Sequence, residues 1–324
     1  MPRQARLDVP GALHHIMVRG IDQSAVFAEE EDRRRFLVRL GENLLEGGGT
    51  VYAWVLMDNH AHLLFKSGRR GISGIMRRLL TGYAQYYNRR HSRTGHLFEN
   101  RYKSILCEED AYLLALVRYI HLNPLRVQAV ATLKELDRYP WSGHRAILGK
   151  ARLAWMDTEY VLAQFADTKR KAREEYRRFM AEGLNQGHIP ELTGGGLIRG
   201  WSQVLSRRRK GQPQESDERI LGGGDFVQAV LQEAEDRQRR QLKLQRSGLT
   251  IQQIITEECG PSKISPQELQ HGSRRMAVSA ARRRIAYRCQ EELGLSAAEI
   301  ARHLGVSTSS ITRTIGRIEQ QGLG

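Results

Sequence analysis

The apolar residues of this chain change period along its length, and each change marks an element. Leu13 to Arg19 is a strand-like run of large and β-branched residues ended by Gly20. From Glu29 to Glu46 the period becomes helical, with Phe36, Leu37, Leu40, Leu44 and Leu45 on one side, and Gly47, Gly48 and Gly49 stop it. Thr50 to Met57 and His60 to Phe65 read as two strands, split by the hairpin-type turn Asp58-Asn59. Gly74 to Arg90 is helical, with Ile75, Leu79, Tyr83 and Tyr86/Tyr87 inward, and Asp110 to Asn123 is a further helix closed by Pro124. The order β-α-β-β-α predicts an α+β fold, an antiparallel sheet with helices on one face.

Pro140-Trp141-Ser142 marks the end of this first domain, taken as residues 1–150. Residues 151–245 are polar and weakly patterned, with glycine clusters at 194–196 and 222–224 and the basic run Arg207 to Lys210. They read as a partly ordered helical connection. Residues 246–324 read as an all-α module containing a helix-turn-helix. Ser296 and Glu299 form a capping box, Gly305 allows the tight turn, and Ser307 caps the next helix. Ile300, Leu304, Val306, Ile311 and Ile315 supply its apolar contacts. Its second helix presents Thr308, Ser309, Thr312, Arg313 and Arg317, short polar and basic groups suited to base edges and phosphates. This module resembles the C-terminal DNA-binding domain of the bacterial replication initiator. The spacing from Gly143 to Lys150 does not make a phosphate-binding loop, so no ATPase accompanies it.

Charge narrows the function. The chain of 324 residues carries a net charge of +15, which points to a polyanion, nucleic acid first. The stretch Lys66 to Lys103 holds ten basic residues against one acid, Glu99, and reads as a phosphate-contacting surface. Its candidate DNA contacts are Arg77, Arg78, Arg89, Arg90, Arg93, Arg101 and Lys103. Tyr86 and Phe98 could stack bases there, whereas Tyr83 and Tyr87 read as helix core. No run approaches the ~20 apolar residues of a membrane span, and no apolar leader follows Met1. Three cysteines, without a CxxC pair, suit a reducing cytoplasm.

The candidate chemistry sits on the second strand of the hairpin. His60 and His62 are two apart, so both imidazoles project from one face, spaced to share a metal ion. Tyr119 and Asn123 lie one helical turn apart on one face. A divalent ion beside a tyrosine is a device for cutting a phosphodiester with a protein nucleophile. Tyr112, seven residues before Tyr119, competes as nucleophile, although packing against the sheet suits it better. Only one of His14 and His15 can face the site, and a structural role is favoured for both. His121 points away from it, and His96, Arg101 and Tyr102 fall near DNA.

Four blocks raise the specificity: Met57 to Leu64, Gly95 to Lys103, Tyr112 to Arg126, and Tyr139 to Ser142. In order and spacing they resemble the single-tyrosine HUH transposases of the IS200 type, and more closely their relatives associated with repeated extragenic palindromes. The resemblance implies a ferredoxin-like sheet, a DNA-hairpin substrate and a covalent 5′-phosphotyrosine intermediate. It implies His60 and His62 as the metal pair, Tyr119 as the nucleophile and Asn123 as the third ligand, where insertion-sequence relatives usually have glutamine. It further implies Mg2+ or Mn2+, with zinc left open by the donor set, and a monomer or a homodimer that exchanges helices. The alternatives are a DNA-binding transcriptional regulator working through the helix-turn-helix, and an RNA-binding sheet.

Overall fold

The computed structural model describes residues 7–9, 11–68, 71–184, 217, 219–246, 248–261, 264–271, 273 and 275–321. It forms two compact units, Met1–Gln228 and Ala229–Gly324. The first is built on β1 (Leu13–Arg19), α1 (Glu30–Gly47), β2 (Thr50–Met57), β3 (His60–Lys66), α2 (Ser73–Arg90) and β4 (Lys103–Cys107). Strand order is β2-β3-β1-β4-β5, where β5 is the two-residue strand Ile220–Leu221. The first four strands pair antiparallel in the ferredoxin-like order, and β5 adds to β4 in parallel, so the sheet is mixed rather than wholly antiparallel.

Local chemistry fixes these elements. Glu29 and Asp32 form a capping box that starts α1, and Gly48, at φ 72°, ends it in the left-handed conformation that glycine adopts without steric cost. The hairpin turn is tied down because the Asp58 carbonyl accepts from Val26 and Phe27 N–H, while its carboxylate pairs with Arg33. β2 and β3 are buried almost continuously, without the alternation of a sheet with one wet face. Both faces are therefore covered. On one, Phe65 reaches Gly49 and Leu44 at the end of α1, and α1 packs on α2. On the other, α3 (Glu109–His121) lies against β2 and β3.

The sequence expectation of helices on one face is thus corrected. α3 is buried over most of its circumference, because a second layer covers its outer side. That layer comes from the stretch read as a connection. After α4 (Asn123–Arg126), α5 (Leu133–Leu136) and α6 (His144–Ile147), α7 (Thr158–Ala163) and α8 (Lys169–Glu182) pack into the first unit. α8 is amphipathic: Ala172, Tyr176 and Met180, at i, i+4 and i+8, face the core, and charged residues fill its outer side. Gly194 to Gly196 and Arg207 to Lys210 lie outside the described residues.

A polar chain crosses this interface. Asp137 Oδ1 lies 2.9 Å from His144 Nε2, and the Tyr176 hydroxyl lies 2.8 Å from both His144 Nδ1 and His121 Nδ1. Burial holds both imidazoles below their usual pKa, so they are neutral. The carboxylate only accepts, so His144 donates from Nε2 and accepts at Nδ1 from the tyrosine hydroxyl. That hydroxyl in turn accepts from His121 Nδ1–H. His121 Nε2, buried without a hydrogen-bond partner, is then a bare lone pair and not a stranded donor.

α9 (Gly224–Arg246) begins in the first unit and continues in the second, which also holds α10 (Ile251–Cys259), α11 (Pro266–Gln270), α12 (Met276–Leu293), α13 (Ala297–His303) and α14 (Thr308–Gln321). Ser296 and Glu299 form the expected capping box. Gly305 sits at φ +63°, and a Cβ there would meet the Gln270 carbonyl oxygen at 2.0 Å, so only glycine serves in this turn. Ile254, Val278, Ile285, Cys289, Ile300, Leu304 and Ile311 form the unit's core. Among the described residues no helix is long and apolar enough to cross a membrane.

Candidate active site

Register places the two histidines. His62 lies opposite Met17 and His60 opposite Arg19 on β1, and alternation turns all four side chains to the α3 face. His15, two residues along β1, is a diagonal neighbour of His62. Its Nε2 lies 2.9 Å from His62 Nδ1, and the rings stack with centroids 5.2 Å apart. His14 faces the other way, toward Ser104 Oγ at 3.2 Å. His15 therefore belongs to the site, a role sequence reasoning passed over because pairing diagonals are invisible before the register is known.

α3 brings Tyr119 over the same face. Its ring centroid is 5.9 Å from that of His62 and 6.0 Å from that of His15. α3 stops at His121, two residues before the predicted end. Asn123 opens α4, where Pro124 removes an N–H yet supplies the φ of a first helical turn. Leu122 keeps a right-handed conformation, so Asn123 stays one turn beyond Tyr119. It is buried and hydrogen-bonds the His60 ring.

His60, His62, Tyr119 and Asn123 line one open cleft of about 760 Å³, together with Arg19, Glu99, Asn100, Tyr102, Lys103 and Arg126, with His15 behind His62. His60, His62, Tyr119 and Asn123 thus converge. Lys103 joins them, but the other basic candidates of the first unit do not line the cleft. Arg77, Arg78, Arg89 and Arg90 lie along α2, where Arg78 pairs with Glu46 and Arg90 with Glu29. Arg93 lies over the Tyr87 ring, and Arg101 is exposed. Tyr112 is buried outside the cleft, and His121 turns to Tyr176 as expected. Tyr83 and Tyr87 are core, their hydroxyls on the Val26 and Ala25 carbonyls. Arg19 and Arg126 were missed. Arg126 was detectable as the residue seven positions, about two turns, after Tyr119.

The electrostatics favour neutral imidazoles. Burial, then Arg19, lowers His60 to about 4, and burial with the neighbouring His15 and His60 holds His62 well below its usual value. Asn59 Oδ1 lies 2.6 Å from His60 Nδ1, so that nitrogen donates and Nε2 keeps its lone pair. Two neutral imidazoles and one amide suit a divalent cation that completes its shell with phosphate and water oxygens. Among the described residues no three His, Cys, Asp or Glu side chains gather to hold a metal, so Asn123 would be the third protein donor. Tyr119 is pushed above its usual pKa by burial, against which Arg126 and Arg19 act. In the second unit Ser309 and Arg313 are exposed on α14, while Thr312 is partly exposed with its hydroxyl bonded to the Thr308 carbonyl.

Comparison with known proteins gives the class first. Residues 9–123 match the family model described as transposase IS200 like, which spans every cleft residue named above except Arg126. Residues 276–324 match the family model described as homeodomain-like domain, which agrees with the helix-turn-helix reading and is not the initiator domain expected from the sequence. Among solved structures, the REP-associated tyrosine transposase bound to a REP hairpin matches at 16% identity and a TM-score of 0.38, covering 48% of this chain and 91% of that one. None of the curated proteins matches the chain.

Proposed function

We propose that this protein is a metal-dependent single-stranded DNA nuclease and strand transferase that acts at palindromic hairpins through a covalent phosphotyrosine on Tyr119. The observation that carries this reading is the convergence of Tyr119 with His60, His62 and Asn123 in one cleft inside a domain of IS200-like transposase type. His60, His62 and Asn123 would hold Mg2+ or Mn2+. When bound, that cation supplies charge neutralisation and orientation of the scissile phosphate.

The residues of the chain do the remainder. Tyr119 Oη attacks phosphorus, the bond to the 3′ oxygen breaks, and the phenol's proton ends on the departing 3′-hydroxyl. The new phosphotyrosine keeps the energy of the original ester, so the reverse attack rejoins strands without ATP. Tyr119 is buried between α3 and the sheet, which holds its ring in place beside the histidines. Nucleophile and histidines come from one chain, which supports catalysis without an exchanged helix. In the second unit, Ser309, Thr312 and Arg313 are proposed to contact duplex or hairpin stem. Their exposure also favours a second reading, a regulator that binds DNA without cutting it.

Labelled hairpin single strands incubated with the protein and Mn2+ separate the two. A denaturation-resistant adduct absent from Tyr119→Phe is the expected result. Retarded migration with no adduct overturns the enzymatic reading and leaves the regulator.

A further inference from the structure

Several arginines described in the first unit have an acidic partner, among them Arg33 with Asp58, Arg34 with Glu30, Arg78 with Glu46 and Arg90 with Glu29. Arg126 does not. It is half-buried on α4, and among the described residues no carboxylate pairs with it. Its guanidinium sits over the Tyr119 ring, 4.9 Å from the centroid, and its Nη1 donates to the Tyr119 carbonyl oxygen at 3.0 Å. It also lines the cleft, where Glu99 is the one carboxylate among the described lining residues, against Arg19, Lys103 and Arg126.

A partly desolvated cation without a counter-ion is costly, and burial does lower the Arg126 pKa. Such a cost persists where an anion is to be met. Resting on the nuclease reading above, we propose that Arg126 is a phosphate-binding and nucleophile-positioning residue, which stacks on Tyr119 to fix its ring and presents its outer N–H groups to the scissile phosphate. A guanidinium suits both tasks, because it is planar for stacking and forked toward oxyanions, whereas an ammonium is neither. The contact on the Tyr119 carbonyl pins α4 to the end of α3. The nucleophile, the amide of Asn123 and this cation then move as one piece.

The test measures single-turnover adduct formation on a labelled hairpin single strand with Mn2+ at saturating DNA. Arg126→Gln is expected to slow the adduct about 100-fold, the usual loss on removing one donor to developing charge. Binding of the same hairpin, measured in a Tyr119→Phe background, is expected to change less than about threefold, since most phosphate contacts lie elsewhere. Arg126→Lys recovers a small part of the rate, and added methylguanidinium restores Arg126→Ala without moving its melting temperature. An adduct rate for Arg126→Gln within about threefold of wild type overturns the inference. So does a loss that follows melting across the variants and is not rescued by methylguanidinium. Should the wild type form no adduct, the nuclease reading itself falls, and this inference with it.

Discussion

Replacing Tyr176 by phenylalanine removes one oxygen from the fully buried chain linking Asp137, His144 and His121. The ring is kept, so no large cavity forms. Two 2.8 Å hydrogen bonds are lost, leaving a buried acceptor at His144 Nδ1 and a buried donor at His121 Nδ1. The donor is the dearer of the two, because His121 Nε2 is already unpartnered and the ring would hold no contact of this kind. At roughly 1–1.5 kcal/mol per broken bond, the cost is about 2–3 kcal/mol. For a unit of this size that lowers the melting temperature by about 4–12 °C. Trp54, Trp141 and Trp155 are the tryptophans among the described residues, and all three lie in the first unit, so their fluorescence during heating follows that unit. A variant melting within about 1 °C of wild type would refute the hydrogen-bond chain and, with it, the docking of α8 on α3 through Tyr176.

Three further outcomes are expected. His15→Phe keeps the stack on His62 but removes its Nδ1 partner, and Mn2+ affinity by titration calorimetry should fall about 10- to 100-fold; unchanged affinity argues against His15 as the group that orients His62. The first unit should lose stability as pH falls from 6.5 toward 4, because His60 (about 4) and His62 stay neutral in the fold while the unfolded chain takes up protons. Asp137, held at about 2 chiefly by its bond to His144, adds stability above its unfolded pKa that disappears as pH drops through 2; a melting temperature flat from pH 6.5 to 4 would contradict the histidine sign, and one flat from about pH 4 to 2 the carboxylate sign. Gly305→Ala forces a Cβ onto the Gln270 carbonyl in a left-handed turn and should destabilise the second unit by at least about 2 kcal/mol, read by circular dichroism, with the tryptophan transition unmoved.

Much of this was legible in the residues, and the gaps have physical causes. The hairpin carrying His60 and His62 announced itself through Asp58-Asn59 between two apolar runs, and the turn of Ser296, Gly305 and Ser307 fixed the helix-turn-helix. β4 was not seen, because it is five residues long and opens on a lysine and a serine. α8 was passed over for a different reason: its core residues Ala172, Tyr176 and Met180 repeat at helical spacing, but the charged residues around them make the segment as a whole look like a solvated connection. At the site, the histidine pair and Tyr119 follow from period and spacing. His15 and Arg126 required knowing which strand lies beside which, and where α3 stops. The arginines along α2 do not line the cleft, since charge per length says nothing about which face of the sheet bears it.

Both rims of the sheet are closed by segments that come later in the chain. Along β2, the Trp54 carbonyl accepts from Gly143 N–H, the Leu56 N–H donates to Trp141, and the Val51 carbonyl accepts from Asp157 N–H; along β4, β5 takes the open side. An excised fragment ending near residue 123 would therefore display two bare ladders of peptide groups, a template for stacking with its own kind. Any workable minimal fragment has to extend past the residues that match the family model, at least through Asp157 for one border and Leu221 for the other. A graft of this module into another protein would have to carry those wrappings along.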